Sequence, residues 1–239
     1  MTEMNGAIPA GRQPRVAIAI PSYDGWKAET GYDVGRLLIY SAPHIDLTMA
    51  FVRGQDTSEA RNHLVSQIKA QPAGQEIDAI LWIDADMTFP PDALIRLLNH
   101  RVAIVGADYR KRIPPFIRIG QWFDPDDPFG HCFPVPPDAP TTGLDDKMAM
   151  IGFGLILTRM RVFDQPKWQR PWFARPFNPQ YATTENPSGF NTEDHIFCSM
   201  ARAHGFKIHC DLDLSAEVSH IGQMAVPWNL GSVAERKVI

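Results

Sequence analysis

The stretch IDAILWIDADMTFPPD, residues 77–92, decides how the rest of the chain is read. Ile80, Leu81, Trp82 and Ile83 make an uninterrupted apolar run, the pattern of a strand buried on both faces of a parallel sheet. Asp84 and Asp86 follow at once. If the strand continues, its period of two points both carboxylates the same way. In open α/β sheets, ligands bind at the carboxyl ends of the strands. Two carboxylates close together in a cleft repel each other, and a hard divalent cation relieves that cost. Oxygen ligands suit magnesium or manganese. The structural alternative has one acid exposed and the other capping a helix.

Outward from this stretch, strands and helices alternate. Arg15 to Ile20, RVAIAI, reads as a first strand stopped by Pro21 and the loop Ser22-Tyr23-Asp24-Gly25-Trp26. A short helix over 33–41 carries Val34, Leu37 and Leu38 inward, and His44 to Val52 supplies a second strand. Asp56 or Thr57 caps a helix from Ser58 to about Lys69, with Ala60, Leu64, Val65 and Ile68 at helical spacing. After the acid-tipped strand a helix opens at Pro91, and Val102 to Val105 forms another strand ending in Gly106-Ala107-Asp108-Tyr109. This alternation predicts an α/β fold: a mostly parallel, mixed central sheet flanked by helices.

The second half is less regular. Eight prolines fall between Pro114 and Pro140, interleaved with Trp122, Phe123, Phe129 and Phe133, which predicts an ordered aromatic wall or lid and no regular helix or inner strand. Regular structure is expected again at Met148 to Thr158, near Val162, from Thr192 to His204 with Gly205 as the C-cap glycine, and at Phe206 to Cys210. Residues 1–14 read as a disordered leader and 15–239 as one domain.

Composition narrows the class. The 239 residues are 44% hydrophobic and 21% charged, with a formal net charge of −4, which gives no reason to expect a general polyanion binder. Three widely spaced cysteines, Cys132, Cys198 and Cys210, include no C-x-x-C pair, so a structural zinc is not expected and a reducing compartment is. The N-terminus has no apolar signal core, and no apolar run approaches the roughly 20 residues of a membrane span. The expected location is cytoplasmic.

Two more segments bear candidate chemistry. In Thr192-Glu193-Asp194-His195, Thr192 caps a helix whose first-turn acids complement the helix dipole; alternatively one carboxylate projects into a cleft as a general base. His220, in Val218-Ser219-His220-Ile221-Gly222, is either a satisfied structural histidine or a metal ligand completing a manganese-type site. Asp211-Leu212-Asp213 and the acids from Asp124 to Asp127 are secondary acidic clusters. Lys167 to Arg175 interleaves cations with Trp168, Trp172 and Phe173, and Arg110-Lys111-Arg112 is a second basic patch near a strand end.

Five segments, in order, resemble a family-2-type glycosyltransferase of the nucleotide-diphospho-sugar transferase (GT-A) fold: RVAIAIPSYDG, SEARNHLV, LWIDADMTFPP, GFGLILTR, and TEDHIFCSMARAHGFKI leading to VSHIG. Together they span about residues 15–222. The resemblance implies that Pro21, Ser22, Tyr23 and Asp24 hold the nucleotide base and ribose and that Arg61 reaches the nucleotide. It places Asp84 at the ribose and sugar, and Asp86, His220 and Asp84 on the metal, with 15–110 as a nucleotide-binding half and 111–239 as an acceptor and catalytic half. Asp194 becomes the catalytic base with Glu193 as alternate, and Gly152 and Gly154 shape the acceptor side. It implies manganese or magnesium, a nucleoside-diphosphate sugar donor (a UDP-sugar favoured), and often inversion at the anomeric carbon. The acceptor stays open among a glycan, a lipid-linked sugar and a modified nucleobase. The competing classes are a nucleotidyltransferase of sugar phosphates, for which SYDGWKAETG is a poor phosphate loop, and a non-catalytic nucleotide-sugar or glycan-binding module.

Overall fold

The computed structural model describes residues 12–72, 75–112, 114, 116–123, 132–177 and 191–222, and the backbone of 225–227. In chain order they form β1 (Arg15–Ser22), α1 (Ala28–Ser41), β2 (Asp46–Arg53), α2 (Thr57–Lys69), β3 (Ala79–Ile83), β4 (Met87–Thr88), α3 (Ala93–Asn99) and β5 (Ile104–Gly106). Then come β6 (Gln121–Phe123), β7 (Cys132–Pro134), β8 (Leu144–Met150), β9 (Leu155–Arg159) and a 3-10 turn at Met160–Val162. The chain continues through α4 (Glu193–Ala203), β10 (Ile208–Asp211), α5 (Leu212–Ser215), β11 (Ser219–Ile221) and β12 (Ala225–Pro227).

One nine-stranded sheet runs β2-β1-β3-β9-β5-β10-β8-β6-β7, and a small three-stranded sheet runs β12-β11-β4. The fold is α/β, as the alternation predicts, and the large sheet is mixed. β1, β2, β3 and β5 all run one way; β9 enters antiparallel between β3 and β5. Beyond β10, strands β8, β6 and β7 continue as an antiparallel extension.

β3 shows why the sheet is buried on both sides. Ile80 and Trp82 pack with Leu64, Val65 and Ile68 of α2 and Phe197, Cys198 and Ala201 of α4. Leu81 and Ile83 face the other way, against Val34 and Leu37 of α1 and Leu94 and Leu97 of α3. Each successive residue of an apolar run thus feeds a different core. All three cysteines are free, and Cys198 and Cys210 are buried. Among the described residues no helix is long and apolar enough to cross a membrane.

Several sequence expectations change here. Helix α1 begins five residues earlier than the expected 33, at Ala28. Lys27 offers no side-chain cap; instead the Lys27 N–H and the Thr30 hydroxyl donate to the Ala85 carbonyl at 2.8 and 3.2 Å, a long-range cap that no local pattern encodes. Met148 to Thr158 is not one element but the end of β8 and most of β9, broken at Ile151–Gly154. The break brings Gly152 and Gly154 onto the Tyr109 ring, where an added Cβ would lie 2.5 Å from Oη and 2.6 Å from Cζ respectively. The proline-rich stretch, where no inner strand is expected, contributes β6, which pairs with β8 on one side and the edge strand β7 on the other; residues 121–123 carry no proline to interrupt the ladder, and Phe129 lies outside the described residues. Residues 1–11 of the expected leader lie outside them too. Trp168, Trp172 and Phe173 are core residues, so the aromatic half of that interleaved segment is structural. Asn62 fixes it: Oδ1 accepts the N–H of Trp172 at 2.8 Å, and Nδ2 donates to the Phe173 carbonyl at 2.7 Å.

Trp82 joins these layers. Its Nε1 donates to Thr158 Oγ1 at 3.0 Å, and its ring meets Phe153 and Phe173 edge-on with centroids 5.9 and 5.4 Å apart. Trp82→Ala is expected to cost about 3–5 kcal/mol, read as a lower urea midpoint at unchanged slope. A loss below about 1 kcal/mol would contradict this packing.

Candidate functional site

The candidate site forms where β3 ends. Regular pairing stops at Ile83, and the Asp84 N–H donates to the Gly154 carbonyl at 3.1 Å. The expected strand continuation is therefore absent, and the two acids turn to different partners. The Asp86 carbonyl accepts the Ile221 N–H at 2.7 Å, and β4 then pairs with β11, setting His220 opposite Met87. Asp33 of α1 fixes the turn after β4 by accepting the Phe89 N–H at 3.1 Å.

Asp84 turns toward α2, where Arg61 gathers three carboxylates. Its Nη1 donates to Glu193 Oε1 and Asp194 Oδ1, both at 2.6 Å, and its Nη2 donates to Asp84 Oδ1 at 2.9 Å. The guanidinium rests on the rings of Phe153 and Phe173, 4.9 and 5.8 Å from their centroids. Its side chain is 1% exposed, against 27% for Asp84, 13% for Glu193 and 18% for Asp194. The cation is thus sealed, while each of the three acids keeps a partly exposed edge. Thr192 delivers two of them: its Oγ1 caps α4 by accepting the His195 N–H at 3.3 Å, which leaves Glu193 and Asp194 in the first turn. The cap expected for this segment is present, and the same helix start sets both acids against Arg61.

One cation is shared by three acids, and two of their carboxyls are shifted upward. Burial pushes the Asp194 carboxyl up to about 7; Arg61 opposes the rise, while Glu193 and Asp84 add to it. Asp84 is raised too, first by burial, with Asp86 and Glu193 reinforcing it against Arg61. Burial would lower the Arg61 guanidinium, but Asp194, Asp84 and Glu193 outweigh it and hold the side chain charged.

Asp86 turns the other way. Its Oδ2 meets Arg112 Nη1 at 2.5 Å and His220 Nε2 at 3.3 Å. Burial acts upward on this carboxyl, but the His220 contact and the Arg112 charge prevail, and its pKa is lowered. The other ring nitrogen of His220, Nδ1, lies 3.2 Å from the Arg110 carbonyl oxygen. A carbonyl has no proton to give, so Nδ1 carries the hydrogen. In the neutral ring Nε2 then presents a lone pair to a carboxylate oxygen. Two acceptors face each other, and a cation between them, whether a proton or a metal ion, resolves the repulsion. An imidazole whose far nitrogen donates to a backbone carbonyl is also the usual posture of a metal-ligating histidine.

The donor set therefore fits a divalent ion held by two protein ligands, Asp86 and His220, with water and substrate oxygens completing it. Among the described residues no group of three or more His, Cys, Asp or Glu side chains converges as a full cage. Charge points the same way. Four carboxylates (Asp84, Asp86, Glu193, Asp194) meet two arginines (Arg61, Arg112), which leaves two negative charges over when all four are ionised.

The remaining predicted residues fall as follows. Pro21 and Ser22 end β1; Ser22 Oγ accepts the Gly25 N–H at 2.9 Å, and the Ser22 and Tyr23 carbonyls accept the Gly54 N–H at 3.1 and 3.0 Å. Tyr23 is 73% exposed, and the Asp24 carbonyl lies 3.4 Å from Arg53 Nη2, so this loop is an open ledge beyond the carboxyl end of β1. Gly152 and Gly154 flank the buried Tyr109. Asp211 is structural: it caps α5 through the Leu214 N–H at 2.8 Å and meets His100 Nε2 at 2.9 Å. Asp213 accepts the Gly143 N–H at 3.1 Å, and Asp124 to Asp127 lie outside the described residues.

Two features go beyond the roles expected from the sequence. Tyr109 links the halves of the site: its Oη accepts the Gly154 N–H at 3.0 Å, and its ring meets His220 edge-on at 5.3 Å. Its phenol is raised well above its ordinary value, first by burial and then by Asp84 and Asp194. Arg61 is engaged with Asp84, Glu193 and Asp194, a role its family resemblance does not suggest. The signal was available, because Arg61 shares a stripe with Leu64, Val65 and Ile68, and a charge on an apolar stripe needs buried partners. Compared with known proteins, the chain matches no family model and no curated sequence.

The raised Asp194 carboxyl makes a pH prediction. Its folded pKa lies above its unfolded value, so its contribution to stability is full below about pH 4 and is lost as pH rises through about 7. Asp194→Asn should remove a fall in stability across that window, on the order of a few kcal/mol, seen by comparing urea midpoints at pH 4.5 and 7.5. Equal pH slopes in both proteins would contradict the assignment.

Proposed function

We propose that this chain transfers a sugar from a nucleoside-diphosphate sugar, a UDP-sugar first among them, to an acceptor hydroxyl, with a manganese or magnesium ion and a GT-A-type arrangement of the site. The observation that carries this reading is the pairing of Asp86 Oδ2 with His220 Nε2 at 3.3 Å beside the Asp84–Glu193–Asp194 cluster on Arg61. A cation position next to a carboxyl poised near neutrality is what transfer from a diphosphate leaving group requires.

A divalent ion on Asp86 and His220 supplies charge compensation for the diphosphate. The chain's own residues do the rest. The ledge Ser22 to Asp24 receives the nucleoside, and Asp84, fixed by Arg61, faces the ribose and sugar. Asp194 serves as base. Its Oδ1 is held by Arg61, and its Oδ2, 3.4 Å from the Phe153 N–H, takes the acceptor's proton. A carboxyl at about 7 is well matched to that task near neutral pH. As the acceptor oxygen bonds to the anomeric carbon, the bond from that carbon to the diphosphate breaks, in one displacement with inversion. Glu193, held by the same Nη1, is the alternate base.

Calorimetric titration with a panel of nucleoside-diphosphate sugars tests this directly. One donor should bind with manganese, and EDTA or Asp86→Ala should abolish that binding; metal-independent binding would contradict the reading. Asp194→Asn should keep donor affinity and lower turnover at least about a hundredfold. Near-normal turnover would move the base to Glu193.

A further inference from the structure

The site contains two arginines in opposite circumstances. Arg61 is 1% exposed and bound to three carboxylates, so moving it would strand buried charge. Arg112 is 53% exposed, and the contact that concerns the site is its Nη1 on Asp86 Oδ2 at 2.5 Å. That oxygen is also the one facing His220 Nε2, so an ion held by Asp86 and His220 would compete with Arg112 for it. The backbone beneath Arg112 is anchored. The Lys111 N–H donates to the Ile117 carbonyl at 2.9 Å, the Ile119 N–H donates to the Tyr109 carbonyl at 2.9 Å, and the Arg110 carbonyl receives His220 Nδ1. The side chain is therefore tethered at the rim of the site with an exposed end, free to change partner without disturbing the fold.

Resting on the metal reading above, we propose that Arg112 is an exchangeable counter-cation: it competes with the divalent ion for Asp86 and, once displaced, binds a diphosphate oxygen of the donor. A planar guanidinium with several donors suits phosphate oxygens as well as it suits a carboxylate. The exchange couples the two ligands. The ion alone has to displace Arg112, whereas ion and diphosphate together give the arginine a new partner, so each binds better in the presence of the other.

Manganese binding, measured by calorimetry with and without inorganic pyrophosphate, distinguishes the possibilities in wild type, Arg112→Met and Arg112→Lys. Met keeps much of the stem and removes the charge, at an exposed position where folding is not at stake. In Arg112→Met, manganese alone should bind about three- to tenfold tighter, because its competitor is gone, and pyrophosphate should enhance manganese binding less than in wild type. Arg112→Lys should fall between the two. If wild type binds manganese and Arg112→Met binds it equally or more weakly, the exchange is overturned while the metal site stands. If wild type binds no manganese, the metal reading fails and the exchange with it.

Discussion

The buried guanidinium of Arg61 ties together parts of the chain that are far apart in sequence. It joins α2 to Asp84, 23 residues away, and to Glu193 and Asp194, 132 and 133 residues away. A buried arginine without partners is prohibitively costly, and so are three recessed carboxylates without a cation. Each side of this contact makes the other tolerable, and removing the arginine alone falls in the class of changes that cost roughly 3–5 kcal/mol. The aromatic rings of Phe153 and Phe173 complete the seat and keep water from the back of the guanidinium. Because α2 packs on the sheet through Leu64, Val65 and Ile68, the position of the acids is set by the core itself.

The arrangement is asymmetric in charge, and that asymmetry is the chemical content of the site. Burial drives the carboxyls of Asp84 and Asp194 upward, and one arginine shared among three acids offsets that rise only in part. Asp86 is instead lowered, held by Arg112 and His220 on the far side. Neighbouring carboxyls pushed in opposite directions are suited to different roles, one to accept a proton and one to remain an anion. Tyr109, wedged against Gly152 and Gly154 and edge-on to His220, holds the two sides at a fixed spacing.

Much of the framework is visible in sequence because it depends on local pattern. The apolar run of β3, the Asp56 cap of α2, the Thr192 cap of α4 and Gly205 with φ +83 after α4 each follow from neighbours a few residues away. What escapes is what depends on distant partners. β9 slips antiparallel between β3 and β5 because Leu155 to Arg159 can pair with both, which no periodicity reveals. The start of α1 is tied to the Ala85 carbonyl, more than 50 residues away in sequence, through the Lys27 N–H and the Thr30 hydroxyl. The D-x-D triplet is legible as an acidic strand end, but not that its two acids part company, one to Arg61 and one to His220. The convergence of His220 on Asp86 needs β11 to pair with β4, a contact between segments more than 130 residues apart.

The proposed reaction requires Asp86 and His220 to hold one divalent ion against a diphosphate. Pulsed electron paramagnetic resonance on protein loaded with manganese and a nucleoside diphosphate tests it at the ion itself. Nitrogen-14 coupling from a directly bound imidazole is expected, absent in His220→Gln, together with phosphorus-31 coupling from the same ion. Manganese that shows phosphorus coupling but no nitrogen coupling, or the same nitrogen signal in His220→Gln, would contradict it.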